Sequence, residues 1–101
     1  MSNNDFKIML ENLYKKSEEE LKNIAIEINN IIKYKIKDRK TIESILDNLL
    51  NFSTIAYGKV KHLYYELLIY YSEIDFEAAI DYKNYFLKMA SEANNPKRRQ
   101  K

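Results

Sequence analysis

VKHLYYELLIYYSEIDFEAAIDYKNYFLKMA, residues 60–90, carries six of the nine tyrosines and two of the four phenylalanines of a 101-residue chain. Its apolar positions recur every three or four residues on both sides of a polar corner at Ser72–Asp75. That spacing puts side chains on one face of a helix. Val60, Leu63, Tyr64, Leu67, Tyr71 and Ile74 form the first stripe, and Leu68, Ile69 and Tyr70 widen it over most of the circumference. A helix apolar so far round sits centrally in a bundle or lies under a partner. Phe76, Ala79, Ile80, Tyr82, Phe86, Met89, Ala90 and Ala93 line a second broad face. Asp75 is placed to cap that second helix, with Glu77 near its positive end. The stretch therefore reads as two helices folded back on each other. The second ends near Ala93, because Asn94-Asn95-Pro96 is a stop signal and proline restricts the residue before it.

Within this stretch, IDFEAAIDYKNYFLKM (74–89) supplies Asp75, Phe76, Ala79, Ile80, Tyr82 and Leu87 at the places that mark the second half of a tetratricopeptide repeat, which it resembles. Tyr70 matches the aromatic before that family's corner. Three positions depart from the pattern: Ile74 replaces a glycine, Glu66 a leucine, and Phe86 a small alanine. The last would crowd a standard repeat stack. The resemblance implies a packed antiparallel hairpin and not a solenoid, since one unit cannot bury its own face. No family is recognised in the chain as a whole.

Upstream, Phe6, Met9, Leu10, Leu13 and Tyr14 carry the same spacing, predicting a buried helical face capped by Asn3, Asn4 or Asp5. Ser17-Glu18-Glu19-Glu20 has the form of a capping box and could restart a helix. Yet no glycine or proline intervenes, and Leu21, Ile24, Ala25, Ile28, Ile31 and Ile32 stay in phase with the stripe before them. One long helix over about residues 4–36 is expected, with two helices meeting at 15–17 as the alternative. A helix that long overhangs its partners and leaves apolar surface for a second molecule. Asp38 can cap the next helix, Thr41–Phe52, whose face is Ile42, Ile45, Leu46, Leu49 and Leu50. A break is expected between 52 and 58, with Ser53 or Thr54 as a cap and Gly58 in the turn, and helix resuming from Lys59.

One glycine, one proline and no Asn-Gly or Asp-Gly dipeptide leave little material for hairpins. The fold expected is all-α: an antiparallel bundle of four to five helices with a long first helix and a C-terminal helical hairpin. Residues 1–93 form one domain and 94–101 a basic tail. Hydrophobic residues at 46% can supply a core for one domain. Cysteine is absent, MSNNDFKIMLEN lacks the pattern of a secretion signal, and no apolar run approaches the ~20 residues of a membrane span. These features point to a soluble cytoplasmic protein with no membrane partner. Abundant Lys, Ile, Asn and Tyr fit AT-rich coding, as in a low-GC bacterium or its phages and plasmids.

Chemistry is poorly provisioned. A single histidine cannot furnish a His-based zinc site, and His62 with Glu66 one turn on reads as an exposed pair. No Glu-x-x-His pair exists for a di-iron bundle, and one glycine cannot make a phosphate loop. The acidic cluster Glu73, Asp75, Glu77 and Asp81 reads as capping and dipole compensation. No catalytic residue, cofactor or metal site is assigned, and a non-enzyme is expected. The surplus of tyrosine favours protein binding, since its ring is apolar and its tip polar. Tyr57, Tyr65 and Tyr85 fall off the main stripes and are the candidate contacts. The favoured function is a small inhibitor, immunity or adaptor protein of a phage or mobile element, its partner another protein or a second copy bound along the first helix. Four of the 17 basic residues fall in KRRQK (97–101), leaving 13 against 15 acidic ones in the body. The alternative is a nucleic-acid-associated helical protein, such as a small ribonucleoprotein subunit, using Lys33, Lys35, Lys37, Arg39 and Lys40 together with Lys97, Arg98 and Arg99.

Overall fold

A computed structural model describes residues 3–93, which fold into four α-helices and no strands. These are α1 (Asn3–Lys33), α2 (Arg39–Leu50), α3 (Tyr57–Tyr71) and α4 (Phe76–Ala93). The expected basic tail lies outside the described residues. α1 is a single helix, so the in-phase stripe prevails over the capping-box pattern at Ser17, whose side chain is buried at mid-helix.

α1 ends three residues earlier than its spacing suggested. Lys35 adopts a left-handed backbone with φ of 54°. Its N–H reaches the Ile32 carbonyl at 3.3 Å, and the Ile36 N–H reaches Ile31 at 2.9 Å. This pair of reversed bonds is a Schellman motif, which satisfies carbonyls that a helix end leaves open. Such ends usually take glycine, and here a lysine holds the position.

Asp38 stands at the N-cap of α2, but its carboxylate accepts the Thr41 hydroxyl. That bond is the main cause holding the Asp38 carboxyl below its ordinary pKa. The break expected after residue 52 is present as a loop over 51–56, entered through Asn51, Phe52 and Ser53 turns onto the preceding carbonyls. Neither Ser53 nor Thr54 caps α3. Ala56 occupies the N-cap without a side-chain bond, and Gly58 lies inside the first turn of α3. The corner between α3 and α4 falls at 72–75 as expected, with the Asp75 carboxylate accepting the Ala78 N–H at 3.0 Å.

α3 is the central helix and packs against each of the other three. Its inner face, Val60, Leu63, Tyr64, Leu67, Leu68 and Tyr71, meets Leu21, Ile24, Ile28 and Ile31 of α1 and Ile42, Ile45, Leu46 and Leu49 of α2 in one core. α4 adds Ala79 and Phe86. Phe86, the residue expected to crowd a repeat stack, is fully buried and organises an aromatic cluster. Its ring stacks on Tyr64 at 4.7 Å and on Tyr57 at 5.7 Å, with Tyr65 edge-on at 5.8 Å. The Tyr64 hydroxyl donates to the Tyr82 carbonyl at 2.9 Å, so α4 runs back along α3.

The expectation for the start of α1 also fails. Phe6, Met9, Leu10, Leu13 and Tyr14 do not form a buried face; with Ile8 they are between 38% and 54% exposed. The reason is length. At 1.5 Å per residue α1 spans roughly 46 Å, against roughly 27 Å for α4 and less for α2 and α3. The bundle covers α1 from Ser17 onward and leaves its first part overhanging.

Candidate protein-binding surfaces

The flank of α3 turned away from the core carries two adjoining hollows. The first, of about 510 Å³, is lined by Gly58, Lys61, His62, Tyr65, Glu66 and Ile69. The second, of about 220 Å³, lies between α3 and α4 and is lined by Tyr65, Leu68, Ile69, Ser72, Ala79, Ile80 and Lys83. Tyr65 and Ile69 belong to both, which makes one depression running along α3 from Gly58 to Ser72. Ile69 is 68% exposed there. Phe76, Ile80, Lys83 and Leu87 recur at helical spacing on the bordering side of α4, and Phe76 and Leu87 are exposed. An isoleucine and a phenylalanine open to solvent beside one groove form an uncovered apolar surface.

A second constellation locks the corner. Arg39 at the start of α2 pairs with Asp75 at 2.8 Å, and its Nε lies 3.4 Å from the Tyr71 hydroxyl. That hydroxyl donates to Glu43, and the Tyr70 hydroxyl donates to the Ile36 carbonyl at 2.8 Å. Burial, then the bond to Glu43, raises the Tyr71 pKa, while Tyr71 and Asp75 raise that of Arg39. Asp75 thus has both oxygens engaged, one on a helix cap and one on a guanidinium. This set ties the α1–α2 connection to the α3–α4 corner.

The sequence candidates are scattered by the fold. Tyr65 lines the groove, half-buried, with its ring on the Phe86 cluster. Tyr57 is 40% exposed but stacks on Phe86 with its other face. Tyr85 is exposed on a separate depression of about 300 Å³ with Asp47, Asp81 and Tyr82. The three therefore do not make one patch. Lys33, Lys35, Lys37 and Lys40 are all exposed around the chain reversal, and Lys33 Nζ lies 5.4 Å from the Tyr34 ring. They do not share one helical face, because the helix stops at Lys33. Arg39 is committed to Asp75. Lys97, Arg98 and Arg99 lie outside the described residues.

His62 and Glu66 are both exposed, and no group of three or more potential metal ligands occurs among the described residues. No helix among them is long and apolar enough to cross a membrane. Sequence reasoning placed Ile69 and Phe76 within packed faces; the signal that sets them apart is their distance from each stripe's centre. The Arg39–Asp75 pair had no local signal, since its partners come from different helices.

The chain matches no protein-family model, no curated protein and no solved structure.

Proposed function

We propose that the chain is a non-catalytic protein-binding module, of the small inhibitor, immunity or adaptor kind, that receives an apolar helical segment of another protein along the outer flank of α3. The observation that supports this is the continuous depression from Gly58 to Ser72, lined by Tyr65, Ile69 and Ile80, with exposed Phe76 one turn before Ile80 on α4. At roughly 20 Å it accommodates about four turns of an amphipathic helix. Tyr65 is a suitable anchor, because the Phe86 cluster already restricts its ring and little side-chain entropy is lost on binding. Lys61, Glu66 and Lys83 supply a mixed-charge rim.

The test is a paired capture from the source cell. Wild-type chain and Ile69→Asp are used as baits after circular dichroism has shown equal helix content. A partner held by the first and lost by the second supports the reading, and equal retention by both sinks it.

A second reading has one observation in its favour: Lys33, Lys35, Lys37 and Lys40 are solvent-exposed beside Tyr34, which is 65% exposed and open for base stacking. Retention on heparin that falls steeply with salt and is reduced by Lys33→Glu/Lys37→Glu would support nucleic-acid binding. Absence of retention at low salt would remove it.

A further inference from the structure

We infer that the chain forms a twofold dimer through the overhanging part of α1, with Phe6 of each copy seated in the hollow beside Ser17 of the other. Phe6, Met9, Leu10, Leu13 and Tyr14 extend the stripe that buries Leu21, Ile24 and Ile28 further along the same helix. The overhang therefore presents a core face with no core on it. Its exposed apolar area is on the order of 500 Å² per chain, at the upper end for a patch left open on a monomer. Two such faces together bury about 1,000 Å² or more, which reaches the lower bound for a specific interface.

A second copy fits this face in a definite register. Antiparallel packing of Leu10 against Leu13 of the other copy, the spacing of knobs entering holes, also sets Phe6 opposite Ser17. Ser17 is the first buried residue of α1 and stands where the helix leaves the bundle. There Tyr14, Ser17, Leu21, Ile55 and Ala56, with Glu18 and Lys59 beside them, line a hollow of about 340 Å³. The small serine side chain makes room for a phenylalanine ring, and the two-fold operation fills both hollows at once.

The α3 groove plays no part in this dimer, so the two readings stand or fall separately. The test uses the full chain in light scattering and sedimentation over a concentration series. The wild type is expected at twice the 12.1 kDa chain mass, and Leu10→Glu/Leu13→Glu at the chain mass with unchanged helix content. Because the chain has no cysteine, Phe6→Cys/Ser17→Cys offers only these two thiols. They stand roughly 16 Å apart within one copy, too far for an internal bond. Mild oxidation is therefore expected to give a covalent dimer, and Phe6→Cys paired with a cysteine in place of Glu19 is expected to give none. A wild type that stays monomeric throughout overturns the inference, as does a dimer that survives Leu10→Glu/Leu13→Glu or leaves the 6/17 thiols free. A monomer whose overhang instead binds lipid vesicles or another protein overturns it too.

Discussion

Arg39 reaches the Asp75 carboxylate at 2.8 Å on one oxygen, while the other oxygen accepts the Ala78 N–H at the start of α4. One side chain therefore closes a helix end and fastens it to the N-terminus of α2. The two roles differ in weight. Capping bonds are worth about 1 kcal/mol, whereas an ion pair with one well-exposed partner adds little. Asp75→Ala is expected to lower urea stability by about 1 kcal/mol, mostly independently of salt. Arg39→Ala is expected to cost less, and its effect to shrink as salt rises. Equal losses from both, with equal salt dependence, would show that the pair and not the cap carries the stability.

Lys35 holds a left-handed backbone that glycine adopts without Cβ conflict. Replacing it with glycine keeps both reversed hydrogen bonds of the Schellman end and removes that conflict. Lys35→Gly is expected to raise stability by about 1 kcal/mol, read as a higher denaturation midpoint. A fall in midpoint would mean that the lysine stem makes contacts outweighing its backbone strain.

Gly58 presents the reverse case. It lies within α3, its φ is not positive, and a Cβ built there would meet nothing within 4 Å. Glycine in a helix forfeits roughly 0.5–1 kcal/mol relative to alanine. Gly58→Ala is expected to recover about that much in thermal or urea denaturation. No gain would locate the residue at a frayed helix start, where propensity counts for less.

What was legible in the sequence was local. The corner at 72–75 and the cap at Asp75 are written in adjacent residues, and the long α1 in an unbroken phase from Phe6 to Ile32. The same periodicity could not say which part of that stripe is covered. Phe6–Tyr14 and Leu21–Ile32 look alike on a helix, and only the shorter reach of α2, α3 and α4 separates them. The end at Lys35 escaped because its residue is neither glycine nor asparagine. Arg39, grouped with the lysines by composition, is set apart by an aspartate from another helix.

Phe86 is where the chain departs most usefully from the repeat it resembles. A small residue there would leave Tyr57, Tyr64 and Tyr65 around a void, because all three rings rest on this one. Large-to-small changes of buried phenylalanine cost about 3–5 kcal/mol, a major share of the 5–15 kcal/mol that holds a domain together. Phe86→Ala is expected to unfold the chain or bring its melting close to room temperature, as read by circular dichroism. Phe86→Leu, which keeps part of the volume, is expected to remain folded. A mild effect of the alanine variant would show that the tyrosines close over the gap.

Three tyrosines make the fold sensitive to alkali. Burial raises the Tyr64 hydroxyl well above its ordinary range, and that hydroxyl donates to the Tyr82 carbonyl. Burial, reinforced by the charges of Asp47 and Glu43, pushes Tyr82 up to about 12, and Tyr71 is raised by burial and by its bond to Glu43. In the unfolded chain a tyrosine loses its proton near pH 10. Above that pH the folded state binds more protons than the unfolded state, so stability must fall as pH rises. The contribution is complete below about pH 10, and that of Tyr82 is lost by about pH 12. Urea midpoints are therefore expected to decline from about pH 10 upward. Tyr64→Phe, compared with its own neutral-pH midpoint, is expected to decline less steeply than the wild type. A Tyr64→Phe decline parallel to that of the wild type would show that the buried Tyr64 hydroxyl does not drive alkaline unfolding.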